Sequence, residues 1–305
     1  MNKNIENKTT LLQIANYWLL FNKNRFKEST FHCYKYKIEK YIRGSKLSLL
    51  FVSQINDTNT ADFVNTLIQN QLSSKTVNDI ISLLNAILKF AKNKYHINIP
   101  CVPYVKNDYK EMRVFTLSEQ RTLEKNIKNN MDNYKFGIYI ALYTGIRIGE
   151  LCALKWEDIN NGIITINKTV LRIKDGNKTR IITDSPKTNN SYRNIPVPDF
   201  LNDIIEKNRK TSGSFVLSTE KTPFVEPRLM QIHFKKVMYE CNIQNASFHT
   251  LRHTFATRCV ECGFDIKSLS EILGHSNIQI TLNKYVHSSM ELKMKNMNKL
   301  QIIAR

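Results

Sequence analysis

At 305 residues the chain is longer than one hydrophobic core usually organises, so two domains are expected. Its 45 Lys and Arg against 26 Asp and Glu give a formal net charge of +19, which points to a polyanionic partner, nucleic acid first. No apolar run is long enough to span a bilayer, no signal-like segment follows Met1–Lys8, and six cysteines in so long a chain do not read as a disulfide framework, so a soluble, cytoplasmic protein with reduced thiols and no membrane partner is expected.

Residues 9–96 read as helices. One apolar face carries Leu11, Leu12, Ala15, Trp18 and Leu19, a second Tyr34, Ile38 and Tyr41, a third Phe63, Leu67 and Ile68. The fourth runs from Ile80 to Ala91, and the expected caps are Thr58 or Asn59 for the third helix and Ser74 for the fourth. The stretch from Ile99 to Lys110, with two prolines and no sustained period, reads as a linker. Residues 1–108 therefore read as a helical domain with its linker, basic enough to suit nucleic acid; they hold 15 Lys and Arg against 7 Asp and Glu. The remainder holds 30 against 19, so both parts are suited to one polyanion.

Residues 109–305 read as a second domain. Thr116 and Glu119, three apart, form a capping box that opens a helix, and an apolar helix follows around Phe136–Tyr143. Thr144–Leu151, reading TGIRIGEL, sets Arg147 and Glu150 three apart, where the carboxylate can orient the guanidinium. Short β-branched strands run from Gly162 to Ile195, with a turn at Asp175-Gly176. Lys187 lies in the turn-rich Ser185–Asn190 segment between two such strands, hence at an expected hairpin tip. From Pro198 the helical pattern returns, near 198–209, 227–241, 249–262, 266–273 and 278–286. The fold class is thus mainly α with a small antiparallel β-sheet.

Within these helices, His249 and Arg252 are three apart and project from one face, where an imidazole and a guanidinium can meet the same anion. Two arginines, Arg147 and Arg252, match phosphate oxygens with planar forks. Leu273-Gly274-His275 closes one helix, and Tyr285 ten residues on can bring a phenol to the same phosphate as a nucleophile. Cys259 and Cys262 with His249 and His253 invite a zinc reading, but His253 and Cys262 are nine residues apart, about 900° around one helix, and so on opposite faces. Neither a metal nor a cofactor is expected.

In order and spacing, Arg147, Lys187, His249, Arg252, His275 and Tyr285 resemble the tyrosine site-specific recombinases, the phage integrase family. TGIRIGEL, HTLRHTFAT and LGHSNIQITLNKY resemble that family's arginine, histidine-arginine and nucleophile boxes, over roughly residues 110–290. The resemblance implies a two-domain DNA clamp, a helical core-binding domain plus a tyrosine-recombinase catalytic domain, acting as a tetramer on double-stranded recombination sites. It implies that Tyr285 attacks the scissile phosphate to form a 3′-phosphotyrosyl bond, with Arg147 and Arg252 as the phosphate clamp. Lys187 is then the acid for the 5′-oxygen, Glu150 supports Arg147, and the base is His249, with His275 on the phosphate, though the histidines are not ranked by sequence. An excision factor or a DNA-bending protein is an accessory partner that the resemblance admits, and no separate arm-site-binding domain is expected before the first helices.

The Trp18–Ile42 segment and the wording around Tyr285 favour an integrase of a mobile element. A chromosome-dimer resolvase, a type IB topoisomerase and a catalytically silent DNA-binding protein are the competing readings. Taken singly, each residue has an ordinary role: Arg147 and Glu150 a surface ion pair, Tyr285 a core tyrosine, Lys187 a loop lysine, His275 a helix cap, His253 packing support. The tail sets Met290, Met294, Met297 and Leu300 on one stripe beside Lys293, Lys295 and Lys299; it packs either on its own domain or, by the resemblance, on a neighbouring protomer.

Overall fold

A computed structural model describes residues 8–107, 112–175, 178–184, 192–210, 214–219 and 222–285, together with 294, 297 and 298. The chain is mainly helical with small β-sheets and divides into two compact units, Met1–Lys110 with Arg172–Arg180, and Glu111–Leu171 with Ile181–Arg305.

In the first unit, α1 (Leu11–Phe21) opens on a reciprocal cap in which Thr10 Oγ1 accepts from Gln13 N–H at 3.3 Å and Gln13 Oε1 from Thr10 N–H at 2.9 Å. It buries Leu11, Ile14, Ala15, Trp18 and Leu19. Helix α2 (Glu28–Lys37) widens into a π-turn over Ile38–Ile42, closed by Arg43 N–H on Ile38 C=O at 2.9 Å, and this turn sinks both isoleucines completely. Helix α3 (Asp57–Gln69) is capped by Asn56, not by the expected Thr58 or Asn59; Asn59 is instead the third helical residue that reciprocates. The cap of α4 (Ser74–Tyr95) is Ser73, one residue before the expected Ser74. Ile68, expected on the apolar face of α3, is exposed.

The first half of the expected linker is docked, not free-running. Asn85 on α4 accepts from Val102 N–H at 2.8 Å and donates to Val102 C=O at 2.9 Å, and Asn78 makes the same pair with Val105. Two side-chain amides on one helix face thus satisfy the extended backbone as a neighbouring strand would, while Ile99 and Val102 enter the core.

In the second unit, α5 (Leu117–Asn129) starts on the Thr116–Glu119 box, each backbone N–H bonded to the other's side chain. Helix α6 (Asn133–Thr144) is buried nearly all round and forms the spine of the main core with Phe115, Leu151, Trp156, Phe234 and Leu251. After α7 (Ile148–Ala153) come β1 (Ile159–Asn160), β2 (Ile163–Ile166), β3 (Thr169–Asp175), β4 (Lys178–Asp184) and β5 (Arg193–Pro196), the stretch of β3 and β4 within 172–180 being grouped with the first unit. An antiparallel sheet runs β1-β2-β5, with Ile164 opposite Ile195 and Ile166 opposite Arg193, and β3 pairs with β4.

The strands on either side of Lys187, β4 and β5, belong to different sheets among the described residues. On β5, Ile195 finds its apolar neighbour in Ile164 on β2. Lys187 itself and the Asp175-Gly176 turn lie outside the described residues. Helices α8 (Asp199–Lys207), α9 (Pro227–Glu240), α10 (Phe248–Glu261), α11 (Ile266–Leu273) and α12 (Ile278–Tyr285) complete the unit, where helices were expected. Among the described residues no helix is long and apolar enough to cross a membrane.

Candidate active site

Two glycines shape the site by ending helices in the left-handed region. Gly145, at φ +63°, closes α6, and an added Cβ would meet Phe255 at 2.5 Å. Gly274, also at φ +63°, closes α11, with His275 N–H returning to Ser270 C=O at 3.1 Å. Each turn presents its carbonyl to one arginine. Arg252 donates to Gly145 C=O at 2.8 Å and to Leu273 C=O at 2.6 Å; Arg147 donates to Gly274 C=O at 3.0 Å.

Arg147 caps α7 and also donates to Glu150 at 2.8 Å, while Glu150 accepts from the Arg147 backbone N–H at 3.0 Å. Glu150 is buried, and its main partner is a residue the sequence reading passed over. Arg193 on β5 grips both its oxygens, at 3.0 and 2.7 Å, and donates a third bond to Ile272 C=O at 2.6 Å. Burial opposes the Glu150 charge, but the Arg193 hydrogen bonds and the charges of Arg193 and Arg147 outweigh it and hold the carboxyl at about 2.

Arg252 is only 2% exposed. Burial, with Arg147 and Arg193 nearby, pushes its guanidinium down to about 9, so it stays charged at neutral pH. Glu150 is thus shared by the guanidiniums of Arg147 and Arg193, with a third, Arg252, nearby on backbone carbonyls, and the surplus positive charge makes the site ready for an anion. A pocket of about 390 Å³ opens alongside, between Arg193, Lys267, Glu271 and His275.

His249 lies in the first turn of α10 and is exposed, where backbone N–H groups and the helix dipole favour the same anion. His275 is fixed by Thr281, a fully buried hydroxyl 2.8 Å from its Nδ1. Its ring lies parallel to that of Tyr285, 6.4 Å between centroids. Tyr285 is 6% exposed and packs with Ala256, Cys259, Leu269 and Leu273. Its hydroxyl is 2.8 Å from Nδ1 of His253, the histidine read from sequence as packing support. Burial raises the phenol above its ordinary value, and Arg252 and Arg147 pull the other way.

Arg147, Glu150, Arg252, His275 and Tyr285 therefore come together around the ends of α6 and α11; Lys187 lies outside the described residues. Arg193, His253 and Thr281 are the additions. A signal for Arg193 was present: strand alternation puts it on the same face as buried Ile195, and a charge on a buried face needs a partner. Spacing also hinted at His253, since i and i+4 share a helix face and its ring meets that of His249 edge to face at 4.5 Å. Cys259 is buried and Cys262 exposed, and among the described residues no group of three or more His, Cys, Asp or Glu is placed to hold a metal ion.

Comparison with known proteins gives the family and the fold. Residues 113–291, well over half of the chain, match the model of the phage integrase family. A XerC-like tyrosine recombinase of Caldanaerobacter subterraneus is 29% identical over 293 residues, covering 86% of this chain and 74% of the relative. The transposase from transposon Tn916 of Enterococcus faecalis is 25% identical over 291 residues, covering 85% and 70%. The solved integrase of transposon Tn1549, in complex with a circular intermediate DNA, superposes with a TM-score of 0.81 at 23% identity, covering 95% of this chain and 99% of that one.

Proposed function

Because this chain belongs to the phage integrase family, we propose that it is a site-specific DNA recombinase that integrates or excises a mobile element through a covalent bond between Tyr285 and a DNA 3′-phosphate. The observation that carries this reading is the gathering of Tyr285, Arg147 and Arg252 at the end of α11, where Tyr285 packs with Leu273, Arg252 donates to the Leu273 carbonyl and Arg147 donates to the Gly274 carbonyl. A phosphodiester entering that space meets two guanidiniums able to stabilise its non-bridging oxygens as charge builds in the transition state.

The steps follow from these roles. The Tyr285 oxygen gives up its proton to a neighbouring histidine and attacks phosphorus in line with the 5′-oxygen, the P–O5′ bond breaks, and Lys187 protonates the departing oxygen. His249 and His275 hold the phosphate. A free 5′-hydroxyl of a partner strand then attacks the phosphotyrosine and releases Tyr285, so the phosphoester is conserved and no external energy source enters. Exchange between two duplexes cuts four strands, and one tyrosine per protomer then requires four protomers on the DNA. A chromosome-dimer resolvase would use the same chemistry; the similarity to a transposon's transposase favours the mobile element.

The deciding experiment offers a nicked suicide duplex carrying the recombination site to wild-type protein and to Tyr285→Phe. Wild-type protein leaves a covalent adduct in denaturing electrophoresis; Tyr285→Phe binds the duplex and leaves none. An adduct in Tyr285→Phe would overturn the nucleophile assignment.

A further inference from the structure

We propose that His253, not His249, is the base that removes the phenolic proton of Tyr285. This inference rests on the reading of Tyr285 as nucleophile. His253 Nδ1 is 2.8 Å from the Tyr285 oxygen, within direct proton-transfer range, whereas His249 is exposed on the first turn of α10. The two imidazoles, one turn apart and edge to face, divide the work: the outer one meets the DNA phosphate and the inner, half-buried one meets the phenol.

Arg252 stands between them in sequence and is turned to the Gly145 and Leu273 carbonyls, so three residues of one helix address the phosphate, its clamp and the attacking atom separately. Several groups surround the His253–Tyr285 pair. His249 and Arg252 share its helix, Arg147 comes from α7, and His275 precedes α12. The two arginines favour a phenolate, and the imidazolium formed beside it pairs with that charge.

With the hydrogen of neutral His253 on Nε2, Nδ1 accepts the Tyr285 proton as the oxygen bonds to phosphorus. The P–O5′ bond breaks in the same step, and the 5′-oxygen takes its proton from Lys187. In the joining step an incoming 5′-hydroxyl returns a proton to Lys187, and imidazolium His253 reprotonates the departing Tyr285 oxygen. No proton or electron is left over across the cycle.

The test is single-turnover adduct formation on the suicide duplex by wild-type protein, His253→Ala, His253→Gln and Tyr285→Phe, with thermal melting to confirm folding. His253→Ala is expected to bind DNA as wild type does and to form adduct about 10²-fold more slowly at neutral pH. The deficit shrinks as pH rises toward the phenol's own ionisation, which burial holds above the ordinary tyrosine value, and added imidazole restores part of the rate. His253→Gln keeps bulk and a hydrogen bond but is a negligible base, so it must be as slow as His253→Ala. A 5′-bridging sulfur at the scissile position leaves the deficit in place, because the missing group acts on the nucleophile.

Adduct formation by His253→Ala within a few-fold of wild type would overturn the proposal, as would a deficit independent of pH and imidazole, or full rescue by glutamine. An adduct in Tyr285→Phe would instead overturn the nucleophile reading itself. If Tyr285→Phe is inert while His253→Ala is fast, the base assignment alone fails.

Discussion

Arg193 and Glu150 are 43 residues apart in the chain and form a two-pronged, almost fully buried ion pair, at 3.0 and 2.7 Å. The pair ties β5 to the helix that begins at Arg147, and the third Arg193 bond, to Ile272 C=O, ties both to the end of α11 that carries Gly274 and His275. Because Glu150 also orients Arg147, the proposed phosphate clamp is held by a carboxylate whose own position depends on Arg193.

Removing Arg193 should therefore cost more than a surface pair would. Arg193→Ala leaves Glu150 buried beside Arg147 alone, a loss of about 3–5 kcal/mol. Arg193→Lys recovers little, since one ammonium cannot bridge two carboxylate oxygens and a carbonyl. Urea unfolding of the single variants and of Arg193→Met combined with Glu150→Gln gives the check: the double variant should lose less than the two single losses together. Additive losses would mean that the pair is not coupled.

Glu150 also gives the stability a pH signature. Its folded value, about 2, lies below the ordinary carboxylate value near 4.5, so its contribution is fully present above that unfolded value and is lost as pH falls through the folded one. A shift of about 2.5 units corresponds to on the order of 3 kcal/mol. Glu150→Gln should be less stable than wild type at pH 7, with the gap closing between about pH 4.5 and pH 2. Denaturant midpoints measured across that range would show it, and a gap that does not change with pH would contradict the ion-pair account.

Much of this arrangement was legible in the sequence where the signal is local. The Thr116–Glu119 box and the five helices after Pro198 follow from caps and 3.6-residue periodicity. The caps at Asn56 and Ser73 were misjudged by one to three residues because several cap-forming side chains are adjacent, and backbone conformation decides between them. What was not legible depends on distant partners. Asn78 and Asn85 read as polar positions on a helix, and only the fold brings residues 102–105 alongside to be bonded. Thr281 acquires a role only because α12 brings it to His275. In the same way, the pairing of β5 with β2 follows from an apolar match across the sheet, not from the turn residues around Lys187.

If Lys187 is the acid, its loss should be repaired by a better leaving group. Lys187→Ala should cleave an ordinary site at least about 10²-fold more slowly, yet approach the wild-type rate on DNA with a 5′-bridging sulfur, because a thiolate departs unprotonated. Arg147→Ala should gain nothing from sulfur, since its task is charge on the non-bridging oxygens. Gel assays of both variants on both substrates distinguish the roles; equal rescue of the two, or of neither, removes Lys187 from the acid role.

The tail offers a test of assembly. Met294 and Met297, two of the four residues of the expected apolar stripe, are 61% and 65% exposed. Apolar side chains so open to water gain from cover. We expect the cover to come from a neighbouring protomer on DNA, which would link the tail to the proposed four-protomer reaction. Deleting residues 289–305 should then leave binding to a single half-site unchanged, weaken cooperative filling of a full site and stop recombination. Band-shift titrations of half and full sites measure the first two effects directly. A folded truncation that fills both halves with unchanged cooperativity would show that the tail does not join protomers.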